Sequence, residues 1–207
     1  NFDYVILSFA IFSLGFLEDI KLEIKPVYRL LFMVLFLLSF IVYFSIKINS
    51  IDLIFLNSWL ENNIFSVFFI LLCFLFIING ANLIDGFNGL LSIHILIINF
   101  ILLFINLENN HEDLSIIIAS QIVILVPFLL FNFPSAKIFL GDGGSYLFGS
   151  LVALNIIKTN NLNPDISSFF FCILLFYLFF EVFFSFFRKL ISNKSPLKPD
   201  RYHLHML

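Results

Sequence analysis

Apolar residues run along this chain in long blocks, separated by short stretches that hold nearly all of its charges and glycines. A helix needs about 20 predominantly apolar residues, in a range of roughly 17–25, to cross a bilayer. On that measure the pattern predicts seven spans, at residues 4–17, 28–46, 64–80, 90–106, 115–133, 145–158 and 167–187. The first is short, and the sixth is both short and glycine-bearing. Segments of about ten residues with alternating polarity, the mark of a transmembrane β-barrel, are absent. The expected architecture is therefore all-α: a polytopic membrane helical bundle forming a single membrane-embedded domain over residues 1–207. The first block lacks the basic start and small-residue cleavage site of a signal peptide. Beginning at Asn1 and stopping just past a histidine-bearing motif, the chain reads as truncated at both ends.

Composition agrees with a bilayer as the solvent. The chain is 61% hydrophobic and only 12% charged, with 32 Phe, against about 25% charged residues in an ordinary soluble domain. Cys73 and Cys172 both lie inside apolar blocks and read as small buried hydrophobes, not as a disulfide or zinc framework. The net charge of −3 says little; its placement says more. Seven spans put residues 18–27, 81–89, 134–144 and 188–207 on one side, and 47–63, 107–114 and 159–166 on the other. Of the 11 Lys and Arg, all but Lys47 and Lys158 fall on the first side, counting Arg29 at a helix start. Short loops rich in Lys and Arg stay in the cytoplasm, so the first side is expected to be cytoplasmic.

Every polar cluster of chemical interest falls on that same side. Asn82-Leu83-Ile84-Asp85-Gly86-Phe87-Asn88-Gly89-Leu90 sits between two nearly uncharged blocks. A carboxylate beside hydrocarbon is costly unless it has a function, which singles out Asp85. If the stretch is helical, Asn82, Asp85 and Asn88 share a face, suited to a metal or a polar head group; a polar interhelical turn is the plainer alternative. Gly141-Asp142-Gly143-Gly144-Ser145 can turn backbone N–H groups and a carboxylate toward one ligand, or can be a simple tight turn. It is not a P-loop, since no Lys follows the glycines. Glu18-Asp19 is either a helix-end charge pair, a pair of oxygen ligands for a hard divalent cation, or a general base. His203-Leu204-His205, beside Lys198 and Arg201, suits charge-assisted bonds to phosphate or a basic membrane anchor. Glu181 lies within the last span and is expected to face the bundle interior or a cavity. His94 reads as a packing residue.

Taken together these clusters resemble the polyprenyl-phosphate N-acetylhexosamine-1-phosphate transferases, the WecA/MraY family also called glycosyltransferase family 4. Leu14-Gly15-Phe16-Leu17-Glu18-Asp19 looks like the G-x-x-D-D motif, and residues 82–90 look like N-x-x-D-G-x-[DN]-G-L. Residues 134–145, Pro-Ser-Ala-Lys-Ile-Phe-Leu-Gly-Asp-Gly-Gly-Ser, are similar to P-x-A-K-[IV]-F-L-G-D-x-G-S, the most specific of the set. Residues 199–205 resemble P-D-R-x-H-L-H-H, and Glu181 followed by Arg188-Lys189 fits the WecA-like branch. Glu18 stands where the family has Asp, Met206 where it has a third His, and Asn88 where a second Asp is frequent; the last favours the capsule and O-antigen branch.

The resemblance implies transfer of sugar 1-phosphate from a UDP-N-acetylhexosamine to undecaprenyl phosphate, with release of UMP, as the initiating step of surface polysaccharide synthesis. It implies Mg2+, with Mn2+ as the alternative ion, and a multi-pass protein of the bacterial cytoplasmic membrane. It implies Asp19, Asp85 and Asp142 as the catalytic residues. Asp142, Asp85 and Glu18 are the metal candidates; Asn82, Asn88, Lys137, Arg201, His203 and His205 are expected to bind substrate. Asp19 would position or deprotonate the lipid phosphate, and Arg201 and the two histidines would hold the diphosphate. The partners expected are the UDP-sugar, undecaprenyl phosphate, the bilayer and a second copy of the chain; nucleic acid is not. Short loops at 81–89 and 134–144 suggest a small donor sugar. Two other classes fit less well. An intramembrane aspartyl protease needs G-x-G-D, and Phe139 fills the first Gly position. A transporter would carry its polar groups at mid-bilayer in paired broken helices.

Overall fold

The computed structural model describes residues 1–20 and 25–193. Within them the chain folds as nine helices and no strand: α1 (Phe2–Asp19), α2 (Pro26–Tyr43), α3 (Ile54–Leu60), α4 (Asn63–Ile84), α5 (Leu90–Glu108), α6 (Glu112–Asn132), α7 (Gly141–Leu162), α8 (Ser168–Leu174) and α9 (Phe176–Ile191). The all-α expectation holds.

Each predicted span contains helix, and length with apolarity alone picks out four or five of them among the described residues as membrane-crossing candidates. Among the described residues α2, α4, α5 and α6 are long and apolar enough to cross a bilayer, and α8 with α9 makes a fifth if that pair, bent by 61°, is one span. The other two predicted spans became α1 and α7. Asp3, Glu18 and Asp19 put three carboxylates on α1. The polar residues of α7 have a different cause: fourteen of its 22 residues are buried, so protein, not lipid, surrounds it. It packs most extensively on α1 and α4, and then on α5. Small residues allow this. A β-carbon at Gly149 would lie 3.0 Å from Ala81 Cβ and Ile78 Cα of α4, and one at Gly15 would overlap the Asp142 carbonyl and come within 2.6 Å of Gly143 Cα. Close backbone approach through small residues is the usual means of packing helices where lipid removes the hydrophobic drive.

Polar side chains fix α7 along its length. Midway, Tyr4, Asn99, Gln121 and Asn155 from four helices are all buried. Tyr4 Oη donates to Asn155 Oδ1 at 2.9 Å, and Asn155 Nδ2 donates to Gln121 Oε1 at 2.9 Å. Such neutral bonds average about 0.6 kcal/mol in membranes, so they set register more than they add stability. At the end away from the glycine motif, Asn49 N–H donates to Asn161 Oδ1 at 2.9 Å, and the Asp52 carboxylate accepts from Ser168 N–H at 2.8 Å and from the Ser167 hydroxyl. The 47–63 connection, expected as a plain loop, contains α3 and clasps the starts and ends of its neighbours.

Two boundary shifts matter for function. α4 runs four residues past the predicted span, to Ile84, so Asn82 is helical; α7 starts at Gly141, so the glycine motif is its first turn. Because the α1–α7 contact depends on a bare backbone at Gly15, Gly15→Ala is expected to lower the thermal midpoint of the detergent-solubilised protein by at least about 5 °C, the scale of overpacking against backbone. Ser13→Ala, removing a hydroxyl that bonds only within its own helix, should leave the midpoint unchanged. Equal midpoints for both variants would show that the contact tolerates a side chain.

Candidate active site

A helix start leaves its first N–H groups without intrahelical partners. At α7 the residue in the capping position is Leu140, which offers no side-chain acceptor. Carboxylates from other helices supply what is missing. Gly141 N–H donates to Asp85 Oδ2 at 3.0 Å, Asp142 N–H to Asp19 Oδ1 at 2.9 Å, and Gly143 N–H to Asp19 Oδ2 at 2.9 Å. Asp19 is the last residue of α1, and Asp85 directly follows α4. Negative charge at a helix N-terminus is also favoured by the helix dipole, by roughly 0.3–1 kcal/mol per group. Glycine is required at 141, where φ is +69° and a β-carbon would lie 2.8 Å from Asp19 Oδ1.

With its backbone held this way, Asp142 turns its side chain outward from the cap. Its Oδ1 accepts from Asn82 Nδ2 at 2.6 Å, and its Oδ2 pairs with Arg29 Nη1 at 3.0 Å. The same Nη1 lies 3.2 Å from Glu18 Oε1. Arg29 is further placed by Tyr146, whose ring centroid is 5.6 Å from the guanidinium carbon, while Asn82 Nδ2 also reaches Ser145 Oγ at 3.1 Å. Glu18, Arg29, Asn82, Asp142 and Tyr146 line a cleft of ≈ 450 Å³ with Lys189 and Ser185, and its walls include the apolar Leu30, Met33, Val182 and Phe186. An anionic head and an apolar tail could therefore be met in one place. A more open depression of ≈ 630 Å³ lies at the opposite helix ends, among residues of the α5–α6 turn and the start of α6 such as Asn110, His111 and Asp113.

Of the residues singled out in the sequence, Glu18, Asp19, Asn82, Asp85 and Asp142 come together here. Asn88 does not share their face, because the chain turns between α4 and α5; its Nδ2 donates to the Pro134 carbonyl at 3.0 Å and so ties residues 81–89 to 134–144. Lys137 is exposed, and among the described residues only its backbone is engaged, with N–H donating to Phe131 C=O at 2.8 Å. Arg201, His203 and His205 lie outside the described residues. Glu181 is fully buried, as expected of an intramembrane carboxylate. Arg29 was legible only as a charge; its signal was being the one cation in the otherwise apolar α2. Asn132 had no signal beyond polarity at a span end. It is buried, accepts from Gly89 N–H at 2.9 Å and donates to Ile138 C=O at 2.7 Å, holding both loops.

Among the described residues no three His, Cys, Asp or Glu side chains surround a common point as metal ligands would. Asp142 and Glu18 nonetheless suit a hard cation, which prefers oxygen ligands, since an oxygen of each already lies beside one cationic nitrogen. Asp85 and Asp19 differ: their oxygens face backbone amides.

The family model described as glycosyl transferase family 4 matches residues 2–160. The chain is 31% identical, over 98% of its own length, to an undecaprenyl-phosphate alpha-N-acetylglucosaminyl 1-phosphate transferase of Thermotoga maritima. It is 34% identical, over 92% of its length, to a phospho-N-acetylmuramoyl-pentapeptide-transferase of Dictyoglomus turgidum. The chain spans 60% and 64% of those two proteins.

Asp85 has the displaced protonation in this site. Burial raises its pKa to about 7, against the lowering effect of the Gly141 and Leu140 amides, and the Asp142 and Asp19 charges raise it further. The unfolded chain releases this proton near the ordinary value of 3.8. Between these two values the folded state binds more protons, so stability falls as pH rises from about 4 to about 7 and then levels. Asp85→Asn cannot ionise and escapes that loss. Its thermal midpoint relative to wild type is expected to climb between pH 4.5 and 7.5 and then hold constant; a difference independent of pH would contradict the burial of an ionisable carboxyl here.

Proposed function

The chain belongs to glycosyl transferase family 4, and from that membership we propose that the intact protein transfers sugar 1-phosphate from a UDP-N-acetylhexosamine to undecaprenyl phosphate. An oxygen of the acceptor phosphate bonds to the phosphorus that carries the sugar. The bond from that phosphorus to the bridging oxygen breaks, and UMP leaves with that oxygen. The lipid-linked sugar diphosphate is the product and would begin a surface polysaccharide.

The observation that carries this reading is the presentation of Asp142, from the capped start of α7, into a cleft with both cationic and apolar walls. Asp142 and Glu18 are the side chains that would hold Mg2+ or Mn2+, and the ion when bound supplies neutralisation of the charge developing on UMP. Arg29 and Lys189 suit the phosphate oxygens through charge-assisted bonds. Asp19, with both oxygens on backbone amides, positions Asp142 through the α7 start. Leu30, Met33, Val182 and Phe186 offer the apolar surface that the first isoprene units of an acceptor need. Among the described residues Lys25, Arg29, Lys137, Arg188 and Lys189 lie at this end of the bundle, against Lys47 and Lys158 at the other, which supports a cytoplasmic opening in the bacterial inner membrane, where nucleotide sugars are available.

Asn88 and the short loops it joins favour a small N-acetylhexosamine donor over a peptide-bearing one. Membranes containing the full-length protein are expected to form undecaprenyl-linked product from radiolabelled UDP-N-acetylglucosamine, its C4 epimer or a 6-deoxy analogue. Asp142→Asn, nearly isosteric, should lower kcat by about 10²-fold or more, the scale for one preorganised electrostatic group. Product from UDP-N-acetylmuramoyl-pentapeptide alone would reverse the donor assignment, and near-normal activity in Asp142→Asn would remove Asp142 from the chemistry.

A further inference from the structure

One nitrogen of Arg29 serves two carboxylates that come from different helices. Its Nη1 lies 3.0 Å from Asp142 Oδ2 of α7 and 3.2 Å from Glu18 Oε1 of α1. Two carboxylates thus share one monovalent charge. The remaining oxygens are unlike each other. Asp142 Oδ1 accepts from Asn82, whereas Glu18 Oε2 is buried and has no hydrogen-bond partner among the described residues. A buried carboxylate oxygen without a partner is costly, and among the described residues it leaves one coordination position of the pair open. The guanidinium itself is not confined to this role, since it is only partly buried, at 23% side-chain exposure, and its other contact is the Tyr146 ring at the cleft.

Resting on the transferase reading, we infer that Arg29 is an exchangeable counter-ion. It holds Asp142 and Glu18 together in the ligand-free protein, yields them to a divalent cation, and is then free to pair with phosphate oxygens in the same cleft. Arg29 and the cation therefore compete for the same two carboxylates, so the arginine lowers metal affinity while raising turnover. A purely structural ion pair would do the opposite, because its loss would disorder the carboxylates and weaken metal binding.

The test is Mn2+ binding to the full-length protein in detergent without nucleotide, read from the electron paramagnetic resonance of free Mn2+. Arg29→Met keeps an apolar stem and removes the charge. It is expected to bind Mn2+ at least about fivefold more tightly than wild type, the lower end for coupled sites, while kcat falls. Arg29→Lys should stay close to wild-type affinity, and adding Asp142→Asn should abolish the gain. If Arg29→Met is not recovered folded, Arg29→Gln gives the same comparison. Equal or weaker Mn2+ binding in the charge-removed variant, or no binding in either protein, overturns the inference. Product formation by wild type alongside that result would leave the transferase reading intact, whereas no product from any donor would remove that reading whatever the Mn2+ affinity.

Discussion

The amide groups at the start of α7 are the constraint on which the rest of this structure depends. The helix begins inside the bundle on a residue with no capping side chain, so its first N–H groups need acceptors from elsewhere. Asp19 at the end of α1 and Asp85 just past α4 provide them. Three helix ends are thereby brought to one point, and the geometry allows no bulk between them. Gly15 and Gly141 are glycines because a side chain at either position would collide with the partners of this cap. The same arrangement leaves Asp142 as the one aspartate of the three whose side chain faces other side chains and not backbone amides. A structural requirement of a helix start thus becomes the means of placing a reactive carboxylate.

The electrostatics follow from that placement. Asp19, Asp85, Asp142 and Glu18 crowd one end of the bundle, where the α7 dipole, Arg29 and Lys189 offset their charge. Burial and neighbouring carboxylates hold the Asp85 proton up to about pH 7. A site so arranged favours positive charge, which suits a divalent ion and an anionic diphosphate together. The polar contacts farther along α7, at Asn155 and at Asn161, serve the same end by keeping the helix in register, so that its first turn meets α1 and α4 without slack.

The hydrophobic pattern was enough to place seven helical segments and to put the motifs at 18–19, 82–90 and 141–145 at one end of the bundle. It erred where burial, not lipid, sets composition. The central helix α7 looked short because its first turn is Gly-Asp-Gly-Gly, which reads as loop until Asp19 and Asp85 are seen to cap it. Asn82 looked like loop because polarity, and not a helix breaker, ended the apolar block. Asn88 and Lys137 carried family-like spacing, yet Asn88 is used on the Pro134 carbonyl and the Lys137 side chain is exposed to its surroundings. Arg29 was the reverse case: its role depends on a meeting of α1, α2 and α7 that no local pattern encodes.

Replacing Asp19 by Asn tests the cap directly, because the two proteins differ in acceptors and hardly in shape. An asparagine can accept at one oxygen but turns an NH2 toward the second amide, donor against donor. Loss of a cap costs about 0.5–2 kcal/mol, and a domain of this size shifts by roughly 2–4 °C per kcal/mol. If the carboxylate holds the start of α7, Asp19→Asn in the full-length protein lowers the thermal midpoint by several degrees, about as far as Asp19→Ala. A midpoint unchanged or raised in Asp19→Asn would mean that Asp19 serves chemistry alone, and that something else holds α7 in place.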